Sequence, residues 1–437
     1  MRQLLPLFFL SLGPIQANEA LDVLEGNKKA SEIELPPAPE DSIVSQQQER
    51  DSVVYIQPHW APSPMDQLWA RAMLFEDPTN PWVQQVAITG FFDWHAAYGR
   101  ARIDTPGGGS AATVDLDGTR TRRARLGARM RMFRNTDVEA VTEIAGSNEF
   151  RGIDRLSAET QILPHTKVKI GKFRPHFPRE YRGEQEISAY PNHTMLANMI
   201  SPRSSLGVML SKNSPHWEYG LGWFSSDNDP DFPTIEGDGF LAFSLQRTLA
   251  ERAGTTNRRL LWHLSYLHNF DASRGGAFPR YNLVGRFSAN GGQEVTRNPS
   301  YRHLVSTGLS IDQDNFSLSS DVMFAAGEDK AWGLTLSPTY WVIPGSLKLV
   351  ARYHYAESQD AGGLISTMGV NNDPLFDNSP FFVGDEYESF YIGANLHLYE
   401  NQMVLMSGVE QIEFKDDAGA GFNTDASVWH FGAQVSF

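Results

Sequence analysis

The sequence predicts an all-β protein: an antiparallel transmembrane β-barrel of about 16 strands, with short periplasmic turns and long extracellular loops. Three observations predict it. The first is the segment Ser427-Val428-Trp429-His430-Phe431-Gly432-Ala433-Gln434-Val435-Ser436-Phe437. Strand side chains alternate, so Trp429, Phe431, Ala433, Val435 and Phe437 share one side with Ser427, while Val428, His430, Gly432, Gln434 and Ser436 share the other. One side suits lipid and the other a wet lumen. The second observation is that this alternation recurs from Val83 onward in segments long enough for a tilted strand to cross a bilayer. The third is that short and long connections take turns along the chain, as they do when all turns lie at one end of a barrel.

The elements follow in order. Val86, Ile88, Phe92 and Trp94 oppose Thr89, Asp93 and His95. Phe316, Leu318, Val322 and Phe324 oppose Ser317, Ser319 and Asp321. Trp332, Leu334, Leu336 and Tyr340 oppose Gly333, Thr335, Ser337 and Thr339. Leu347, Leu349, Ala351, Tyr353 and Tyr355 oppose Lys348, Arg352 and His354. Phe390, Ile392, Ala394, Leu396 and Leu398 oppose Ser389, Tyr391, Asn395 and His397. Turn chemistry marks Arg134 to Asp137, Leu163 to Thr166, Asn213 to Pro215, Asp312 to Asn315, Pro344-Gly345 and Glu400-Asn401. Long loops are expected at Ile103 to Gly118, Pro175 to Arg203, Ser225 to Gly237, His268 to Arg302, Glu357 to Glu386 and Glu413 to Ala426. Tyr281 to Ser288 also alternates; counting it as a strand would break the even parity, so it is placed inside a loop. A barrel of this size encloses an aqueous channel, whereas eight strands would be filled by side chains.

Residues 1–17 read as a secretory signal peptide: Arg2 starts it, Leu4 to Leu12 form a short apolar run, and Ile15-Gln16-Ala17 suits cleavage. Residues 18–80 read as a polar, Pro-rich periplasmic extension, broken by Leu35-Pro36-Pro37-Ala38-Pro39. One short helix is expected in it, with Ser63 as its cap, Pro64 at its first position and Asp66 favouring its N-terminus, and with Leu68, Trp69, Ala72 and Leu74 or Phe75 on its apolar face. Residues 81–437 form the barrel. The address is the outer membrane of a Gram-negative-type bacterium. The 437 residues contain no cysteine, in keeping with passage through an oxidising envelope. A net charge of −15 argues against a nucleic-acid partner.

Thr121 to Phe133 carries the sharpest chemistry. Arg123, Arg125, Arg129 and Arg131 share one face; Ala124, Leu126, Ala128, Met130 and Met132 share the other. Arginine at the bilayer midplane costs roughly 2–4 kcal/mol, so the arginine face must be lumenal. Arg122 and Arg134 fall on the lipid parity, near strand ends where they can snorkel. The following strand offers Glu139 and Glu143, setting either Arg131 opposite Glu139 or Arg129 opposite Glu143. The row is either a wall-stiffening ion-pair network or an anion track; spacing does not choose between them. Downstream, Lys172, Arg174, Arg179 and Arg203 sit in or beside the loop from Pro175 to Pro202. A loop of that length after the fifth strand can fold into the lumen, where basic groups at a narrow point concentrate anions. Glu180, Glu184 and Glu186 leave that loop only mildly positive.

These residues bear a resemblance. Arg122-Arg123-Ala124-Arg125-Leu126-Gly127, then Lys169-Ile170-Gly171-Lys172-Phe173-Arg174-Pro175-His176-Phe177, then Pro202-Arg203-Ser204-Ser205-Leu206-Gly207-Val208, resemble the phosphate-selective porin O/P family. The resemblance implies a channel for phosphate or related small anions, usually homotrimeric, embedded in outer-membrane lipid and needing no cofactor. Arg123 and Arg125 match the family's arginine strand, and Arg174 stands where the family commonly has Lys. The sequence departs from the family in its acidic loops, with Asp227, Asp229, Asp231 and Asp238, and other selectivity-tuning basic residues have no counterpart that can be placed.

Three alternatives belong beside this reading. A general or weakly selective pore needs the same barrel without a selective track. A structural barrel would act through its N-terminal extension. An outer-membrane enzyme would need a nucleophile with a base; His95, His263, His354 and His397 have lumenal parity, but no Ser-His or Asp-His spacing stands out, and no His-Glu-x-x-His metal motif occurs.

Overall fold

The computed structural model describes residues 66, 69–104, 112–144, 152–182, 189–202, 204–226, 234–235, 237–252, 258–270, 285–287, 293–295, 301–360, 363–365, 383–416 and 423–437. The chain divides into two compact units, Met1–Ser63 and Pro64–Phe437. The first lies outside the described residues, as do the expected signal peptide, the cap Ser63 and the first helical position Pro64.

Sixteen strands close the ring: β1 Val83–Asp104, β2 Ala112–Met132, β3 Thr136–Glu143, β4 Gly152–Leu163, β5 Thr166–Phe173, β6 Ser205–Asn213, β7 Trp217–Phe224, β8 Phe240–Arg252, β9 Arg258–Asn269, β10 Tyr301–Gln313, β11 Phe316–Gly327, β12 Lys330–Ile343, β13 Leu347–Ser358, β14 Glu386–Tyr399, β15 Met403–Lys415 and β16 Asn423–Ser436. Each pairs antiparallel with the next, and β16 returns to β1 from Ser436↔Phe91 to Asn423↔Asp104, so no edge remains along that seam. Gly285–Phe287 pairs with Gln293–Val295 in a separate two-stranded sheet, which leaves the even strand number intact.

The outward face is apolar and exposed, as in Leu126, Ile170, Phe390, Ile392, Leu398 and Trp429. A band of large apolar side chains around a closed ring has no favourable contact with water, and lipid is the solvent that satisfies it. The chain is an outer-membrane-type barrel. The turns at its periplasmic end take left-handed backbone at Phe133 and Arg134 (φ 52° and 66°), His165, Asp314 and Glu400, of which His165 and Asp314 are of the types enriched there.

Two expectations are corrected at this level. Met73–Glu76 is a short strand paired with β1, Phe75 opposite Val86, so Leu74 and Phe75 do not lie on a helix face; helical backbone is found at Asp66, Trp69 and Ala70. Trp69 donates its indole N–H to the Ser436 carbonyl (2.6 Å), and Phe437 exchanges backbone hydrogen bonds with Gly90, so this segment fastens the periplasmic end of the seam. Secondly, β1 and β2 run well into the expected loop from Ile103 to Gly118. Beyond the bilayer their pattern inverts: Arg100 and Asp115 pair on the wet outside, while Ala101, Ile103 and Leu116 are buried inside. A polar outer face there reads as loop in sequence, although the backbone ladder continues.

Candidate functional site: an arginine ladder and an in-folded loop

β2 presents its arginines to the lumen in the register set by the turn after Met132. That turn holds three residues, 133–135, and places Met132 opposite Thr136. Neither expected register is realised. Arg131 faces Asp137 (2.8 Å), Arg129 faces Glu139 (3.1 Å), and Arg125 faces Glu143 (3.6 Å) and Asp154 (3.3 Å). The tighter turn brings Asp137, expected in the turn itself, onto the ladder. Arg155 on β4 closes the network against Glu139 and Asp154. Asp154 reaches the lumen because the β3–β4 register shifts between Val141 and Thr142.

Arg122 is the clearest correction. The β1–β2 register slips between Asp93 and Trp94, so Arg122 is the extra residue of a β-bulge rather than a member of the lipid face. Its guanidinium turns inward to Asp93 (3.3 Å) and to the Pro191 carbonyl. The bulge also re-phases the strand: Leu116 points inward before it, and Arg123, Arg125, Arg129 and Arg131 point inward after it.

The connection after β5 folds into the barrel. Its short helix α1, Met195–Ile200, is buried at all six residues. The ends of the connection are held by wall residues around the ring. Arg182 pairs with Glu218 on β7 (2.9 Å), and Arg179 bonds His263 on β9 (3.2 Å). Asn395 on β14 donates to the Ala189 carbonyl (2.9 Å), Tyr190 donates to the Ala351 carbonyl (2.9 Å), and Arg352 on β13 donates to the Asn192 carbonyl (2.6 Å). An apolar cluster that includes Ala97, Leu116, Phe224, Leu304, Phe414 and Leu196 surrounds the helix. The extracellular half of the lumen is therefore packed around this loop, and the periplasmic half is the wetter part: Arg129 keeps 39% of its side chain exposed, against 5% for Arg125.

Wall and loop meet at His193. Arg123 bonds its Nε2 (3.0 Å), and its Nδ1 lies 3.2 Å from Glu180. Glu180 also accepts from the Thr194 amide (2.9 Å) and hydroxyl (2.5 Å), with Arg352 at 4.0 Å. Burial holds the His193 imidazole down to about 3, helped by the charges of Arg123 and Arg122 and opposed by Glu180. Burial works against the Glu180 carboxylate, yet its hydrogen bonds and Arg352 outweigh that and hold it at about 2. A neutral His193 with its proton on Nδ1 satisfies both neighbours, donating to Glu180 and accepting from Arg123. From Arg352 the network continues through Glu410 (3.6 Å) to His430 (3.2 Å) and on to His95 (3.0 Å) at the seam.

The remaining sequence candidates lie as follows. Arg174 stacks over the Tyr181 ring (5.1 Å), and Arg179 is on the loop as described. Lys172 is buried at the end of β5, in register between Leu156 and Leu206. Arg203 lies outside the described residues. Sequence reasoning counts Arg182 among the basic residues of the loop and places Arg352 on the lumenal side with Lys348 and His354, but gives neither a partner; it passes over Arg155, Glu410 and His193. The role of Glu410 depends on ring closure, and those of Arg155 and His193 on a bulge and on the loop's path. His263 sits beside Asp321 (3.3 Å), but Ser306 gives its hydroxyl to Asp321 (2.8 Å), so the trio anchors Arg179 rather than forming a Ser-His pair.

No family model matches the chain, and no curated protein matches it. Solved structures do resemble it. A loop L8 deletion mutant of OmpT, an outer membrane protein of Vibrio cholerae, superposes with a TM-score of 0.50 at 11% identity, covering 80% of this chain and 99% of that one. An anion-selective porin from Comamonas acidovorans does so with a TM-score of 0.50 at 12% identity, again covering 80% and 99%. At such identities the likeness establishes the porin-type barrel fold.

Proposed function

We propose that this barrel is a passive outer-membrane pore for small anions, of the phosphate-selective porin O/P type, working without cofactor or catalytic step. One observation carries the reading: Arg131, Arg129, Arg125 and Arg123 form a single lumenal file that ends against a loop bearing Arg174, Arg179 and Arg182. A guanidinium has five donors in a fixed fork, more than one carboxylate can use. An oxyanion can share those donors with Asp137, Glu139 and Glu143 and pass from one arginine to the next without being held tightly. The anion selectivity named for the Comamonas porin is in keeping with this reading. Assembly as a homotrimer follows from the same family resemblance.

A second reading, a weakly selective pore, is favoured by the balance of the wall: Arg122, Arg125, Arg129, Arg131, Arg155 and Lys167 each face a carboxylate. Titrating phosphate into a chloride current across a planar bilayer separates the two. The anion-track reading expects phosphate to reduce the chloride current, and Arg129→Gln with Arg131→Gln to weaken that block. A chloride current indifferent to phosphate, in wild type and variant alike, leaves the weakly selective pore.

A further inference from the structure

A feature at the outer rim stands apart from the lumen. His268 near the end of β9 lies directly opposite His303 near the start of β10. Leu261, His263, Ser265 and Leu267 are buried on the inner side of β9, so Tyr266 and His268 are on the outer one. The two Nδ1 atoms face each other at 3.3 Å, with ring centroids 4.8 Å apart. The Tyr266 hydroxyl lies 2.8 Å from the same Nδ1 of His303. Three donor atoms from adjacent strands thus converge on one spot.

We infer that His268 and His303, with Tyr266 beside them, form a binding site for a borderline divalent cation of the Zn2+ class. The spacing carries the argument. Imidazole nitrogens bind Zn2+ at about 2.0–2.1 Å, and a tetrahedral angle between two such bonds separates the nitrogens by about 3.3 Å. The facing nitrogens already have that separation, so a cation enters without moving either strand. Binding is by neutral imidazole; the proton that lies between the rings moves to an outer Nε2, and no net proton is released. Among the described residues there is no group of three or more His, Cys, Asp or Glu side chains suited to a metal, so the site offers two imidazoles and a phenol, and water fills the rest of the shell. Phe270, whose ring meets His268 edge-on at 4.6 Å, limits how far that imidazole can swing. A cation held there ties β9 to β10 where the long connection between them begins. The order of divalent affinities for nitrogen sites places Cu2+ above Zn2+, which supplies a spectroscopic probe.

The test uses the untagged full-length protein folded in detergent. Zn2+ is titrated in competition with a chromophoric chelator. One ion per chain is expected, with affinity weakened by roughly tenfold or more in His268→Ala and in His303→Ala. His216→Ala, which removes a histidine beside the short turn at the opposite end of the barrel, leaves it unchanged. Wild type that binds no stoichiometric Zn2+, or a His268→Ala/His303→Ala double variant that binds as tightly as wild type, overturns the inference. A readout that needs no variant is the EPR spectrum of Cu2+ on the wild-type protein. Hyperfine coupling to two imidazole nitrogens is expected, and a spectrum with none rejects the site.

Discussion

Arg123 donates to His193 across 3.0 Å, and that bond exists only while His193 is neutral. Protonating the imidazole removes the acceptor and sets two cations against each other. The docked loop therefore binds fewer protons than an undocked one. The His193 pKa is lowered from 6.5 to about 3 by burial first, so docking is complete above about pH 6.5 and weakens as pH falls towards 3. Glu180, lowered from 4.5 to about 2, adds a loss of the same sign below 4.5. Each proton costs up to roughly 1.4 kcal/mol per pH unit. Protection of the amides of residues 189–200, taken relative to the intrinsic exchange rate at each pH, should fall between pH 7 and pH 4, and His193→Gln should flatten that dependence above pH 4.5. Equal protection at both pH values would contradict the assignment.

Arg352 is the cation on which the inner network converges. It is buried between Glu410 and Glu180, binds the Asn192 carbonyl and stacks over Tyr190 (4.7 Å). Arg352→Ala leaves the buried Glu410 and the partly buried Glu180 without their shared partner, a loss of about 3 kcal/mol. The loop should release before the barrel does. Single-channel traces should show larger and noisier conductance, while heat-modifiable migration on gels is retained. Traces identical to wild type would remove Arg352 from the account.

Gly127 sits on the lumenal face between Arg125 and Arg129. A Cβ there would lie 2.3 Å from the Ala140 carbonyl oxygen, a backbone atom that cannot swing aside. Gly127→Ala should push β3 from β2, loosen the Arg129–Glu139 pair and cost about 1–3 kcal/mol. Denaturant unfolding in detergent measures it; a midpoint equal to wild type would show that the strands yield freely.

Ile170 is 57% exposed on the outer face of β5, one residue from the lumenal Lys169. Ile170→Arg should cost roughly 2–4 kcal/mol in lipid if the site lies near the bilayer midplane, whereas Lys169→Arg should be nearly neutral. Folding into vesicles, compared by urea titration, decides whether adjacent residues see such different solvents. Equal costs would mean that the outer band is not facing lipid.

The fold was legible because a lipid-spanning strand must alternate. β14 declares its two faces in Phe390, Ile392, Leu396 and Leu398 against Ser389, Tyr391, Asn395 and His397, and nothing tertiary is needed to read it. The site was legible only in part. The inward face of Arg125, Arg129 and Arg131 follows from period two, but the bulge at Arg122 shifts that phase with no mark in the local sequence. The partner set differs from expectation because a connection two residues shorter exchanges Glu139 for Asp137 opposite Arg131. The in-folded loop did leave a signal: Met195-Leu196-Ala197-Asn198-Met199-Ile200 is nearly all apolar within a connection expected to meet water. Its anchors, Arg352 and Glu410 on β13 and β15, lie far along the chain and come together only when the ring closes.

The central claim is that the guanidinium file sets the sign of the permeating ion. Its direct measure is the reversal potential in a potassium chloride gradient, for wild type and for Arg129→Glu/Arg131→Glu. These two positions lie in the wetter half and disturb the packed loop least. Wild type should reverse on the chloride side of zero, and the double variant should shift towards potassium. A wild-type potential at zero or on the potassium side, or a variant whose potential does not move, would contradict the account.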